Sequence, residues 1–187
     1  MLGMLRRLIY YVATSVDGFI AHPCGTWEGF VTEGEHATDY LDELRTYSAV
    51  VMGRATWEIA PKMGVPDPYP YLETFVFSRT LHSVEHPNVR LIREDAVSYI
   101  AAMKGKPSDR GSIAPIYLAG GGAFAASMLA AHLVDEVVIK LNPFFMGQGI
   151  PVSGILPQIV PLRLRQVKDY GNNVVLLRYE TRSEPLS

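Results

Sequence analysis

The chain has 187 residues, 48% of them hydrophobic and 19% charged, with a formal net charge of −2. A chain of that size can bury a substantial core, and one domain is expected. The near-neutral charge without a basic run argues against a nucleic-acid or membrane-surface partner, and the single cysteine, Cys24, forbids an internal disulfide and argues against a cysteine-based zinc site.

Leu8-Ile9-Tyr10-Tyr11-Val12-Ala13 reads as a first strand that ends in the turn residues Thr14-Ser15 and Asp17-Gly18. The run is too short for a secretion signal and no segment reaches the length of a membrane span, so a soluble, cytoplasmic protein is expected. Ala37, Tyr40, Leu41, Leu44 and Tyr47 fall at helical spacing and predict an amphipathic helix over 35–46. Ala49 to Met52 is a strand, and Thr56 to Ala60 a short helix stopped by Pro61. Residues 61–70 hold four prolines and a glycine and read as a loop. Thr74 to Phe77 and Val89 to Ile92 are strands, and a helix follows over 95–103 with Asp95 near its amino end. Ile116 to Ala119 is a strand and Phe124 to Ala131 a helix. The last third holds three strands, 137–141, 162–167 and 174–179, the final two joined by the hairpin residues Gly171-Asn172-Asn173. Strand–helix alternation followed by a hairpin implies an α/β fold, a mostly parallel sheet with antiparallel edges and helices on both faces.

Two turns carry the chemistry. In Leu118-Ala119-Gly120-Gly121-Gly122-Ala123-Phe124 a strand runs through three glycines into a helix. Glycines let a ligand approach the backbone closely, and a helix start offers unpaired N–H groups to a phosphate; a plain tight turn is the rival reading. Val51-Met52-Gly53-Arg54-Ala55-Thr56-Trp57-Glu58 repeats the pattern with a cation and a hydroxyl. Two anion-ready turns point to a dinucleotide. The five histidines are scattered, and no metal site is expected.

Val51 to Glu58, Val76-Phe77-Ser78-Arg79-Thr80 and Ala119 to Gly122 come in the order and spacing of the dihydrofolate reductase fold. Thr14 to Ala21, Leu133-Val134-Asp135-Glu136-Val137, and Asn142-Pro143 through Gly147-Gln148-Gly149-Ile150-Pro151 narrow this to one branch. Together they resemble the carboxyl-terminal reductase domain of the bifunctional riboflavin-biosynthesis deaminase/reductase and its stand-alone relatives, over roughly residues 6–180. The resemblance implies a dihydrofolate-reductase-like sheet of about eight strands with NADPH across their carboxyl ends, as the general rule for open α/β sheets also has it. It implies that Gly120, Gly121, Gly122 and Ala123 cradle the pyrophosphate, and that Arg54 and Thr56, after Gly53, hold phosphate oxygens. Ser78 and Arg79 would sit near the adenosine ribose and its 2′-phosphate, and Ala13 and Ile20 would border the nicotinamide. A homodimer through the carboxyl-terminal strands is expected on the same analogy.

The acid is harder to place. By family spacing, the helix carboxylate of dihydrofolate reductases falls at Ala37, and Glu35 and Asp39 each miss it by about half a turn. A folate reductase is therefore not expected. Asp17 is either the acid near the nicotinamide or a turn aspartate capping local amides. Trp27 either lines a substrate pocket or packs on the core. No second phosphate pocket and no deaminase motif is apparent. The expected function is NADPH-dependent reduction of a small heterocyclic or carbonyl substrate; the alternative is a non-catalytic nucleotide- or partner-binding protein on the same fold.

Overall fold

Alternation along the first strand sends Leu8 and Tyr10 to one face of a sheet and Ile9 and Tyr11 to the other, and all four are buried. That double burial requires cover on both sides. It is seen in a computed structural model that describes residues 6–62, 64, 67–84 and 86–182. In chain order the elements are β1 (Leu8–Thr14), β2 (Phe19–Ala21), α1 (Glu35–Leu44), β3 (Ala49–Gly53), α2 (Arg54–Trp57), α3 (Ile59–Lys62), β4 (Glu73–Phe77), β5 (Val89–Ile92), α4 (Ala96–Lys104), β6 (Ile116–Gly120), α5 (Gly122–Ala130), β7 (Glu136–Leu141), β8 (Ile150–Pro151), β9 (Leu162–Asp169) and β10 (Val175–Thr181).

Eight of the strands form one sheet in the order β5-β4-β3-β6-β1-β7-β10-β9. β10 runs antiparallel to both β7 and β9, and the pairings from β5 across to β7 are parallel. On one face Leu8, Tyr10, Val51, Phe75 and Leu118 pack with Ile100 and Met103 of α4 and Met128 and Leu129 of α5. On the other, Ile9, Tyr11, Val50, Val76, Tyr117 and Val138 pack with Tyr47, Trp57 and Leu72, and Tyr40 and Leu44 of α1 close over them. The expected α/β architecture, with helices on both faces and a carboxyl-terminal hairpin, is what forms.

Local departures have local causes. α1 ends at Leu44 rather than Thr46, because Arg45 and Thr46 donate to the carbonyls of Asp42 and Glu43, three residues back, and tighten the last turn. Pro61 does not stop a helix: it lies within α3, in a first turn where a missing N–H has no partner to lose. α4 starts as expected, with Asp95 accepting from the Ser98 amide at 2.9 Å. α5 begins two residues early, at Gly122, with Gly121 as its extended N-cap residue. The short pair β2–β8 had no periodic signal and was not anticipated; it joins Phe19 to Pro151 and Ala21 to Ile150. Residues 63, 65 and 66 of the proline-rich loop lie outside the described residues.

The segment Leu133 to Val137, which helped to carry the resemblance, has a structural task. The Asp135 carboxylate accepts from the amide of Leu8 at 2.7 Å and from the fully buried Lys104 at 2.5 Å. Glu136 accepts from Arg7 and Arg178. Both pairs tie the amino end of β7 to its neighbours, far from the carboxyl ends where a cleft opens.

Candidate functional site

β3 and β6 are hydrogen-bonded neighbours, with Val51 opposite Leu118 and Met52 opposite Gly120, so the turns that leave them lie side by side. A Cβ on Gly121 would stand 3.4 Å from Thr56 Oγ1, and one on Gly53 would stand 3.5 Å from Cβ of Phe124. Gly120 has φ +111, and the Gly120–Gly121 peptide is cis. Gly122, Ala123 and Phe124 open α5, so their N–H groups have no partner within the helix. Gly122 is required by packing: a Cβ there would lie 2.1 Å from the carbonyl oxygen of Pro151. That carbonyl belongs to a strap, residues 142–154, which crosses the strand ends. The amide of Val152 donates to Gly18 O at 2.8 Å, its carbonyl accepts from Tyr10 Oη at 2.6 Å, and Gly154 N donates to Gly122 O at 2.9 Å.

Between the two turns and the strap is a cavity of about 520 Å3, lined by Gly53, Arg54, Thr56, Gly121, Gly122 and Ala123 together with Val12, Ile20, Trp27 and Ala119. Thr56 lines the cavity, and its hydroxyl oxygen lies beside Gly121. Arg54 is exposed and stands 3.9 Å from Glu58, an i, i+4 pair that steers its guanidinium without burying it. Cys24 lies on the same wall, exposed, with Thr26 Oγ1 3.2 Å from its sulfur.

Val12, Ile20, Trp27 and Ala119 also border a second cavity, of about 360 Å3, that continues the first. Its other walls are Tyr11, Ala13, Phe30, Val31, Thr32, Tyr40, Tyr117 and Lys140. Trp27 is 40% exposed and forms a shared wall, so it does not sit packed into the core. Tyr40 and Tyr117 share a hydroxyl–hydroxyl contact at 3.1 Å, and Tyr117 Oη donates to the Tyr11 carbonyl at 3.2 Å. On the far side of Phe124, Ser78 and Arg79 border a third cavity, of about 270 Å3, together with Glu94 and Asp95. Ser78 Oγ is committed to its own turn, accepting from the amides of Thr80 and Leu81 at 3.2 and 3.0 Å.

Asp17 lines neither of the two larger cavities. Its carboxylate accepts from the amides of Met146 and Gly147 at 3.0 and 2.7 Å and from Ser15 Oγ at 2.6 Å. The Met146 amide, then the Ser15 hydroxyl, hold its pKa down to about 2. Such a carboxylate is ionised at neutral pH and has no proton to give. Of the two readings left open by the residues, the turn aspartate fits this geometry: it pins the strap to the loop after β1. The helix carboxylates are equally occupied, Glu35 and Asp39 by Lys168 at 2.7 and 2.6 Å, and Asp39 also by Tyr170 at 2.9 Å.

Three residues of the cleft were missed. Lys140 was read as part of an apolar strand, although a cation two positions after a buried valine on the same strand face was a usable signal. The spacing of Tyr40 predicts only its place on the apolar face of an amphipathic helix, not on a cavity wall. Asn142 belongs to a segment that carries the resemblance, but nothing local gives its role; it is fully buried, accepts from the Val31 amide at 3.0 Å and donates to the carbonyls of Thr14 and Lys140 at 3.3 and 3.1 Å. It thereby fastens the wall of the 360 Å3 cavity to the ends of β1 and β7.

Residues 6–176 match the family described as the RibD C-terminal domain. The uncharacterized protein YwjB of Bacillus subtilis (strain 168) is 31% identical over 174 residues, covering 92% of this chain and 97% of that one. The uncharacterized protein YyaP of the same organism is 24% identical, over 93% of this chain and 94% of its own length. Among solved structures, a putative riboflavin biosynthesis protein from Shewanella sp. PV-4 superposes with a TM-score of 0.80 at 24% identity, covering 94% of this chain and 99% of that chain. A pyrimidine reductase-like protein from Corynebacterium diphtheriae gives 0.65 at 15% identity, over 96% and 93%. A deaminase/reductase from Thermotoga maritima gives 0.69 at 18% identity, and there the chain spans 57% of the larger protein. With the family pattern extending from the first residue of the described structure through β9 to the start of β10, the chain belongs to the RibD C-terminal domain family.

Proposed function

We propose that the chain is an NADPH-dependent reductase of a small heterocyclic or carbonyl substrate. The observation that carries this reading is the close approach of Thr56 and Gly121 from two adjoining turns on the wall of a 520 Å3 cavity that runs on into a 360 Å3 one. The donor set suits a dinucleotide: unpaired amides at the start of α5, the Thr56 hydroxyl and Arg54 at the adjoining turn, and Arg79 beyond Phe124. Bound in this way, NADPH supplies the hydride. Gly120, Gly121, Gly122 and Ala123 would admit the pyrophosphate close to the backbone, with Gly53, Arg54 and Thr56 contributing from the adjoining turn. Ser78 would shape the turn that presents Arg79 to a 2′-phosphate. Ala13 and Ile20 would border the nicotinamide, and Trp27 would separate it from bulk water while forming a wall of the substrate site. Asp17 is assigned the positioning of the strap, and not proton donation.

A homodimer is proposed as well, through β9. This edge strand leaves Leu164 and Val167 at least half exposed, an apolar pair that a second copy would cover. Sedimentation equilibrium of the wild type and of Leu164→Lys/Val167→Lys checks it.

Calorimetric titration with NADPH, with NADH as control, tests the reductase reading. Micromolar or tighter NADPH binding with much weaker NADH binding is expected. Binding of neither would leave the fold and remove the oxidoreductase assignment, favouring a protein that binds another nucleotide or a partner.

A further inference from the structure

Lys140 is the least expected residue of the cleft. It lies on β7 two positions beyond Val138, which is fully buried, and therefore on the same face of the sheet. Its register neighbours are Ala13 on β1 and Leu176 on β10, neither of which offers an acceptor. Among the described residues no carboxylate lies within salt-bridge distance of its Nζ and none lines the cavity it borders. Lys104, which is fully buried, and Arg178, which is partly buried, each hold at least one carboxylate. A half-buried ammonium without a counter-charge is costly, and burial draws its pKa below the usual lysine value. A ligand anion would offset that cost.

The surrounding walls define the rest of such a ligand. Tyr11, Trp27, Phe30 and Tyr40 present ring faces and edges, with Tyr11 and Tyr40 in edge contact at 5.2 Å between centroids. Flat, unsaturated molecules pack best against such surfaces. The hydroxyls of Tyr40 and Tyr117 are engaged with each other, and Tyr117 also with the Tyr11 carbonyl. Lys140 is the one cation among the lining residues, which suits a single negative charge. A phosphate, with two charges and three outward oxygens, calls for the denser set of donors found at the glycine turns instead.

We propose that the 360 Å3 cavity binds a planar, unsaturated organic monoanion, a carboxylate or enolate oxygen resting on Lys140 Nζ, and not a sugar phosphate. This deepens the reductase reading, on which it rests for taking the cavity as the substrate site. Binding of the anion itself is measured without any cofactor.

The experiment is calorimetry on the full chain with trans-cinnamate, with trans-cinnamamide of the same shape but no charge, and with phenyl phosphate. Cinnamate is expected to bind about tenfold or more tightly than the amide and no more weakly than phenyl phosphate. In Lys140→Met the ratio of cinnamate to amide affinity should fall to near one, whereas Lys140→Arg should keep the preference. NADPH affinity, measured on the same samples, reports separately on the fold of each variant and on the reductase reading. Equal affinity for cinnamate and amide in the wild type would overturn the proposal. So would a preference that survives in Lys140→Met, tighter phenyl phosphate, or no cinnamate binding at about 10 mM. A wild type that binds cinnamate through Lys140 but no NADPH would leave the anion site standing and remove the reductase reading.

Discussion

Thr56 Oγ1 lies 3.4 Å from the point that a Cβ on Gly121 would occupy. Gly121 itself has φ −79 and ψ −172, a conformation open to any residue. Its lack of a side chain therefore serves the space between the two turns and not the backbone.

From that contact, Gly121→Val should fold and lose cofactor. Its branched side chain would fill the mouth of the 520 Å3 cavity against Thr56. NADPH affinity is expected to fall on the order of 100-fold, about 2.7 kcal/mol. The melting temperature should change little. Titration and thermal denaturation on the same sample check both parts.

Gly122→Ala should do the reverse. Its added methyl would meet the Pro151 carbonyl at 2.1 Å, and backbone on both sides must move. An overpacking cost of about 2–3 kcal/mol is expected, read by chemical denaturation.

Arg79→Ala should weaken NADPH about ten- to a hundredfold, the range for losing one charge-assisted contact. NADH, without a 2′-phosphate, should change little. Equal losses for the two would remove Arg79 from the phosphate.

Asp17→Asn should lower stability in a pH-dependent way. The folded carboxyl titrates at about 2, below its ordinary value of 3.8, so its contribution is fully present above 3.8 and is lost as pH falls through 2. The gap in melting temperature between wild type and variant should be constant above about pH 5 and shrink below the unfolded-state value. A gap that persists unchanged down to pH 3 would contradict the assigned hydrogen bonds.

Asp135→Ala should be among the most damaging changes away from the cleft. It leaves the fully buried Lys104 without its carboxylate, at a cost of about 3 kcal/mol or more. Lys104→Met should cost less, because Asp135 is 27% exposed and water can replace the ammonium. Urea titration of both variants and of the double variant measures the pair directly.

The strands of the parallel sheet and the helices α1 and α4 were legible because each carries a repeated local signal: an apolar run, an i, i+3, i+4 spacing, or an N-cap such as Asp95. The glycine turns were legible as turns for the same reason. β2 and β8 were not, since three and two residues are too few to show a period. Pro61 misled because its effect depends on its place in the helix: in a first turn it is tolerated, and α3 begins only at Ile59. Asp17 could be narrowed only to a pair of roles, because the amides that settle its protonation, Met146 and Gly147, are about 130 positions away in the chain.

Residue order was thus enough to establish the alternation of strands and helices, the two turns with their glycines and Arg54, and the family to which they point. These follow from dihedral preference and side-chain period, properties of consecutive residues. The chain's long-range packing settled the rest. It put β3 beside β6 so that Thr56 meets Gly121, bound the strap over Gly122, and gave Lys104 a carboxylate while leaving Lys140 with none among the described residues. The electrostatic state of a buried group depends on what surrounds it in space, and in a sheet whose order is β5-β4-β3-β6-β1-β7-β10-β9 those surroundings come from distant parts of the chain.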